Sequence, residues 1–71
     1  MPTTTIAIEL NGRRRELRDG ASVAELVAEL DLRPGMVAVE VNGSLVPRER
    51  REATVLRAGD QVEMVTIMGG G

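Results

Sequence analysis

Apolar and polar positions alternate over residues 3–10: Ile6, Ile8 and Leu10 share one face, and Thr5, Ala7 and Glu9 share the other. That period of two predicts a half-buried strand. Asn11-Gly12 follows, a dipeptide that tolerates positive φ at both centres of a type I′ turn, so Arg13-Arg14-Arg15-Glu16-Leu17 is expected to return antiparallel as the second strand of a hairpin. The arginine run reads as a solvated edge strand whose charge discourages further pairing, with an anionic partner as the alternative.

After a turn at Arg18-Asp19-Gly20 the period changes. Val23, Leu26, Val27 and Leu30 recur at i, i+3, i+4 and i+7, which predicts a helix laying one apolar stripe on a sheet while Glu25 and Glu29 face water. Ser22-Val23-Ala24-Glu25 fits a capping box, and Pro34-Gly35 is read as the stop. Alternation then resumes. Val37, Val39 and Val41 form one face of a third strand, and Asn42-Gly43 turns into the short piece Ser44-Leu45-Val46 before Pro47. The mixed-charge run Arg48-Glu49-Arg50-Arg51-Glu52 has no apolar stripe and is expected to be an exposed helical turn or loop. Thr54-Val55-Leu56 returns the chain to the core, and Ala58-Gly59-Asp60 leads into a last strand over residues 61–67.

One helix on one face of a mixed sheet of about four to five strands is an α+β layout. With the last strand parallel to the first, the helix and the long link serve as crossovers, which is the β-grasp (ubiquitin-like) arrangement. The expected body is residues 1–67, followed by a tail at 68–71. The last strand breaks simple alternation: Val62 and Met64 occupy one face, Val65 and Ile67 the other. A helix covers one face only. Either Val65, Ile67 and Met68 are left as a partner-docking surface, or loops and a bend in the strand cover both faces.

Composition narrows the chemistry. The 71 residues include no Cys, no His and no aromatic residue, so a small core must be built of Val, Leu, Ile, Met and Ala. The usual metal ligands of His and Cys type, a thiol nucleophile and a side chain titrating near neutrality are all missing, so no catalytic residue and no metal site is expected and an enzyme is disfavoured. Eleven acids face nine arginines and no lysine, giving a net charge of −2 and indicating neither nucleic acid nor a polybasic membrane anchor. No leader-like segment precedes the first strand and no apolar run approaches a membrane span, so a soluble cytoplasmic protein is the expectation.

Against this inert body stands the end, Met68-Gly69-Gly70-Gly71. Glycine has no Cβ, so such a segment can thread a narrow channel and leave its carboxyl open to attack. A frayed terminus is the alternative reading. The absence of any site upstream favours a functional tail, with Gly71 as the reacting group and Gly69 and Gly70 as an unhindered tether. From Met68 onward an extended tail reaches about 13 Å at about 3.3 Å per residue.

The capped helix, the segment Val39-Glu40-Val41-Asn42-Gly43-Ser44-Leu45-Val46-Pro47-Arg48, the Ala58-Gly59-Asp60-Gln61-Val62-Glu63 turn and strand, and the terminal Gly70-Gly71 together resemble the ubiquitin-like sulfur carrier proteins. Within that group the Val-Asn-Gly-x-x-Val-Pro-Arg segment looks most like the carriers of thiamine thiazole synthesis. Gly69 departs from the minimal diglycine pattern by making the end a triple glycine. The resemblance covers essentially the whole chain.

The resemblance implies a protein co-substrate. An adenylyltransferase related to the ubiquitin activators would use ATP to adenylate the Gly71 carboxylate. Sulfur from a donor system such as a cysteine desulfurase would then give a thiocarboxylate for thiazole synthase, with no cofactor bound by the carrier itself. Arg48 reads as solvated, with a partner contact as the alternative. A molybdopterin-type or other sulfur carrier, and a ubiquitin-like modifier or adaptor, are the competing readings.

Overall fold

The computed structural model describes residues 4–67. Thr3 of the first predicted run lies outside them, as do Met68, Gly69, Gly70 and Gly71. Strands β1 (Thr5–Leu10) and β2 (Arg13–Arg18) form the first hairpin. Helix α1 (Val23–Glu29) follows, then β3 (Val37–Val41), the two-residue β4 (Ser44–Leu45) and β5 (Gln61–Thr66). The five strands make one sheet in the order β2-β1-β5-β3-β4, with β5 parallel to β1 and antiparallel to β3.

Both Asn-Gly pairs turn as their chemistry predicts, with φ of 50° and 83° at Asn11-Gly12 and 52° and 84° at Asn42-Gly43. Their side chains do more than permit the turn. The Asn11 amide accepts from Met64 N at 2.9 Å and donates to Met64 O at 3.2 Å, extending the β1–β5 pairing with a side chain in place of backbone. Asn42 Oδ1 accepts from Gln61 N at 2.9 Å, while its Nδ2 donates to Asp60 Oδ1 at 3.0 Å, pinning the start of β5.

The predicted helix stripe is the floor of the core. Val23, Leu26 and Val27 are buried and Leu30 is half-buried against Ile8, Leu17, Val37, Val39, Leu56, Val62 and Met64. Fully burying each such side chain contributes about 1.5–3 kcal/mol. Ser22 caps the helix through its Oγ, which accepts from Glu25 N at 3.1 Å. Arg18 Nη2 donates to Glu25 Oε2 at 2.7 Å, and chiefly through this bond holds the Glu25 carboxyl below its usual range. The helix stops earlier than Pro34-Gly35. Asp31 adopts φ 57°, its N–H bonds Ala28 O at 3.0 Å and Leu32 N–H bonds Val27 O at 3.3 Å, a Schellman end built on an aspartate. Pro34–Met36 instead forms a separate 3₁₀ turn leading into β3.

The run expected to be wholly exposed is not. Arg48–Arg50 is a 3₁₀ turn, but Arg51 behind it is only 6% exposed. Its Nη1 donates to Pro34 O at 2.8 Å and its Nη2 to Val37 O at 2.6 Å. A charge pattern read without tertiary context cannot show that one cation of such a run is drawn inward by two backbone carbonyls. The rest of the link is tied to the start of α1: Ser22 bridges Val55, Leu56 N donates to Ala21 O at 2.9 Å, and Leu56 is buried.

Candidate functional site

The strand that leads to the tail lies at the centre of the sheet. β5 has β1 on one side over Gln61 and Val62 and β3 on the other from Val62 to Thr66. Beyond the register pair Val37↔Thr66, Ile67 N donates to Met36 O at 2.7 Å, so the sheet holds the backbone as far as the last described residue. The proposed reacting group Gly71, the tether Gly69 and Gly70, and Met68 lie outside the described residues.

The break in alternation resolves into two faces. Val62 and Met64 point into the core, whereas Val65 is 63% exposed and Ile67 51% exposed. The register brings further residues to the open face that sequence spacing alone did not join to them. Val65 stands opposite Ala38, Glu63 opposite Glu40, and Glu40 in turn opposite Leu45, which is 64% exposed. Apolar surface from β5 and β4 therefore flanks a directly opposed pair of carboxylates. The ion pairs among the described residues are Arg14–Glu16, Arg15–Glu29 and Arg18–Glu25, and none involves Glu40 or Glu63. Like charges directly across a strand pair are destabilising, so this arrangement is not explained by the stability of the isolated chain.

On the helix side a cavity of about 590 Å³ opens between α1 and the two 3₁₀ turns, lined by Ala24, Val27, Ala28, Pro34, Arg48 and Arg51 among others. Arg48 is exposed and lies over Gly35, where its Nη1 would stand 3.2 Å from an added Cβ. Arg15, from the charged run on edge strand β2, turns to the helix side and pairs with Glu29 at 3.2 Å; Arg13 and Arg14 are solvated. Among the described residues no group of three His, Cys, Asp or Glu could hold a metal ion, and no helix is long and apolar enough to cross a membrane.

A five-stranded mixed sheet with parallel central strands, one capped helix on one face and an exposed apolar face at the end of β5 defines a β-grasp protein of the ubiquitin-like kind. Comparison with known proteins makes this specific. The ThiS family model matches residues 8–71, and the chain belongs to that family. It is 31% identical over 64 residues to the sulfur carrier protein ThiS of Escherichia coli, covering 90% of this chain and 97% of that one. A crystal structure of a thiamine biosynthesis protein (ThiS) from Geobacter metallireducens superposes with a TM-score of 0.80 at 33% identity, covering 93% of this chain and 100% of that one. The chain is also 39% identical over 64 residues to a thiazole synthase of Magnetococcus marinus, covering 90% of this chain but only 20% of that longer protein.

Proposed function

We propose that this protein is the sulfur carrier of thiamine thiazole synthesis and that Gly71 is its reacting residue. The observation that carries the reading is membership of the ThiS family over a match that runs through the glycine end. The thiazole synthase relative supports the choice of pathway, because a segment similar to 90% of this chain occurs within a protein of that name. Joining two modules in one chain raises the effective concentration at which they meet.

The chemistry follows from the weakness of a carboxylate as an electrophile. Attack of a Gly71 carboxylate oxygen on the α-phosphorus of ATP gives an acyl adenylate and releases pyrophosphate. Sulfide-level sulfur (HS−) released by the donor system then adds to the acyl carbon; a C–S bond forms, the C–O bond to phosphate breaks, AMP leaves, and the S–H proton is lost to solvent. The resulting thiocarboxylate is the sulfur source for thiazole synthase. Gly71 offers the attacking sulfur no side chain to hinder it, while Gly69 and Gly70 let the tail enter a partner's active site. The acid, base and nucleotide-binding groups belong to the partners. Val65, Ile67 and Met68, joined by Leu45, form the docking surface that keeps the body outside while the tail reaches in.

Incubation with the adenylyltransferase, ATP and a sulfur donor should replace one carboxyl oxygen by sulfur, read as an intact-mass change at the C-terminal peptide. Removing Gly71 should abolish that change and leave the melting temperature where it was. An unchanged mass under conditions that convert an established carrier overturns the proposal. Transfer of sulfur to a molybdopterin-type synthase instead of thiazole synthase would redirect it, and amide adducts on other proteins that survive thiol treatment would make the chain a modifier.

A further inference from the structure

Arg51 is an anomaly in so small a protein. It is buried, its Nε has no hydrogen-bond partner, and no carboxylate pairs with it among the described residues. Burying a cation without a counter-ion is costly, and an apolar side chain of similar volume would fill the same space at less cost. What the guanidinium does that an apolar group cannot is donate in two directions at once.

The position of those donors matters. Alternate residues of β3 turn their backbone groups away from β5, toward the β4 side. Val39 O on that side accepts from Val46 N at 2.8 Å, but the short β4 ends there, and Val37 O, two residues back, has Arg51 Nη2 at 2.6 Å instead. The second donor, Nη1, holds Pro34 O at 2.8 Å. The guanidinium thus stands where a longer β4 would have stood and closes the free edge of β3. Between its two acceptors lies Met36, whose carbonyl takes the Ile67 amide at 2.7 Å. One cation therefore fixes both ends of the four-residue backbone stretch 34–37 that receives the last described residue of the tail-bearing strand.

We propose that Arg51 is a positioning residue for the carrier reaction: by closing the edge of β3 at Pro34 and Val37, it fixes the backbone from which the reactive tail departs. This rests on the carrier reading above. The partner's active site would then receive the tail from a defined point and direction, and loosening that point would lower turnover more than docking, because Val65 and Leu45 on the open face are untouched.

Two variants test it. Arg51→Met keeps bulk and removes every donor; Arg51→Lys keeps the charge but lacks the planar fork that serves two carbonyls. Exchange of the Ile67 amide is compared with that of the Leu56 amide, which bonds Ala21 O away from the β3 edge. Ile67 exchange should accelerate about tenfold more than Leu56 in Arg51→Met, and by less in Arg51→Lys. Adenylation kcat, measured where each variant is fully folded, should fall about tenfold in Arg51→Met with KM within about twofold of wild type, and Arg51→Lys should recover part of the loss. Equal acceleration of the two amides, or an unchanged kcat in a folded variant, overturns the proposal. If Arg51→Met does not fold, Arg51→Lys decides by the same two readouts. Failure of the carrier reading looks different: the wild-type chain itself would not be adenylated, and the positioning role would fall with it.

Discussion

The two faces of the sheet are made by the same strands and obey opposite rules. On β5, Val62 is buried against the helix while Val65, of the same chemical type and on the same strand, is 63% exposed. On the covered face the buried positions of β3 and β5 are all apolar, and the helix stripe matches them. On the open face, apolar Val65 and Leu45 sit beside Glu40 and Glu63 in contact register. Folding explains the first face completely. It leaves the opposed carboxylates of the second unexplained, since they do not help the isolated chain. The difference separates residues retained for the body from residues available to a partner.

The strongest way to break that division is to make a covered-face residue behave like an open-face one. Leu26 is fully buried at the centre of the helix stripe. Leu26→Ala should destabilise by about 2–5 kcal/mol in denaturant unfolding, through lost transfer energy and the cavity left behind. A change below about 0.5 kcal/mol would place Leu26 at the surface and dissolve the contrast.

The converse test is Val65→Asp. Because the side chain is largely exposed, the loss of stability should stay within about 1 kcal/mol, the cost of a poorer strand former and an added carboxylate beside Glu63. Affinity for the adenylyltransferase should fall by about 1–3 kcal/mol, roughly what burying one valine-sized side chain in an interface contributes. Calorimetry or surface-binding assays would read it. Unchanged affinity with unchanged stability would remove Val65 from the docking surface and leave the tail as the sole contact tested.

How much of this was legible beforehand follows the range of the forces involved. The strands, both Asn-Gly turns, the Ser22 cap and the stripe at Val23, Leu26, Val27 and Leu30 rest on neighbours within a few residues, and the sequence shows them. The split of Val62 and Met64 from Val65 and Ile67 was visible as parity, but which face remained open was not, because that depends on where α1 packs. Three features needed tertiary contacts. Asp31 ends the helix by adopting a left-handed conformation usually left to glycine, so no Gly marks the stop. Arg51 looks like any member of a solvated charge run until Pro34 and Val37 are placed beside it. Glu40 and Glu63 lie far apart in sequence, and only the β3–β5 register makes them opposite. Of the candidate site, Val65 and Ile67 could be located; Met68, Gly69, Gly70 and Gly71 lie outside the described residues, and their role rests on chemistry and family membership.

The finest test of the contrast is the carboxylate pair itself. Glu63→Gln preserves shape and removes one of two like charges from directly opposed positions on β5 and β3. Such a pair destabilises by about 0.2–1 kcal/mol, so the variant should be more stable than wild type by that amount, seen as a higher urea midpoint with an unchanged slope. Salt sharpens the assignment. The repulsion is between exposed charges and is screened over about 8–10 Å at ordinary ionic strength, so raising salt should stabilise wild type more than Glu63→Gln and narrow the gap between them. If the same variant also binds the adenylyltransferase less tightly at low salt, the two effects have opposite signs at one residue: a charge that weakens the free carrier strengthens its complex. A gain in stability with no change in binding would instead leave the pair as a tolerated repulsion, and confine the functional part of the open face to its apolar residues.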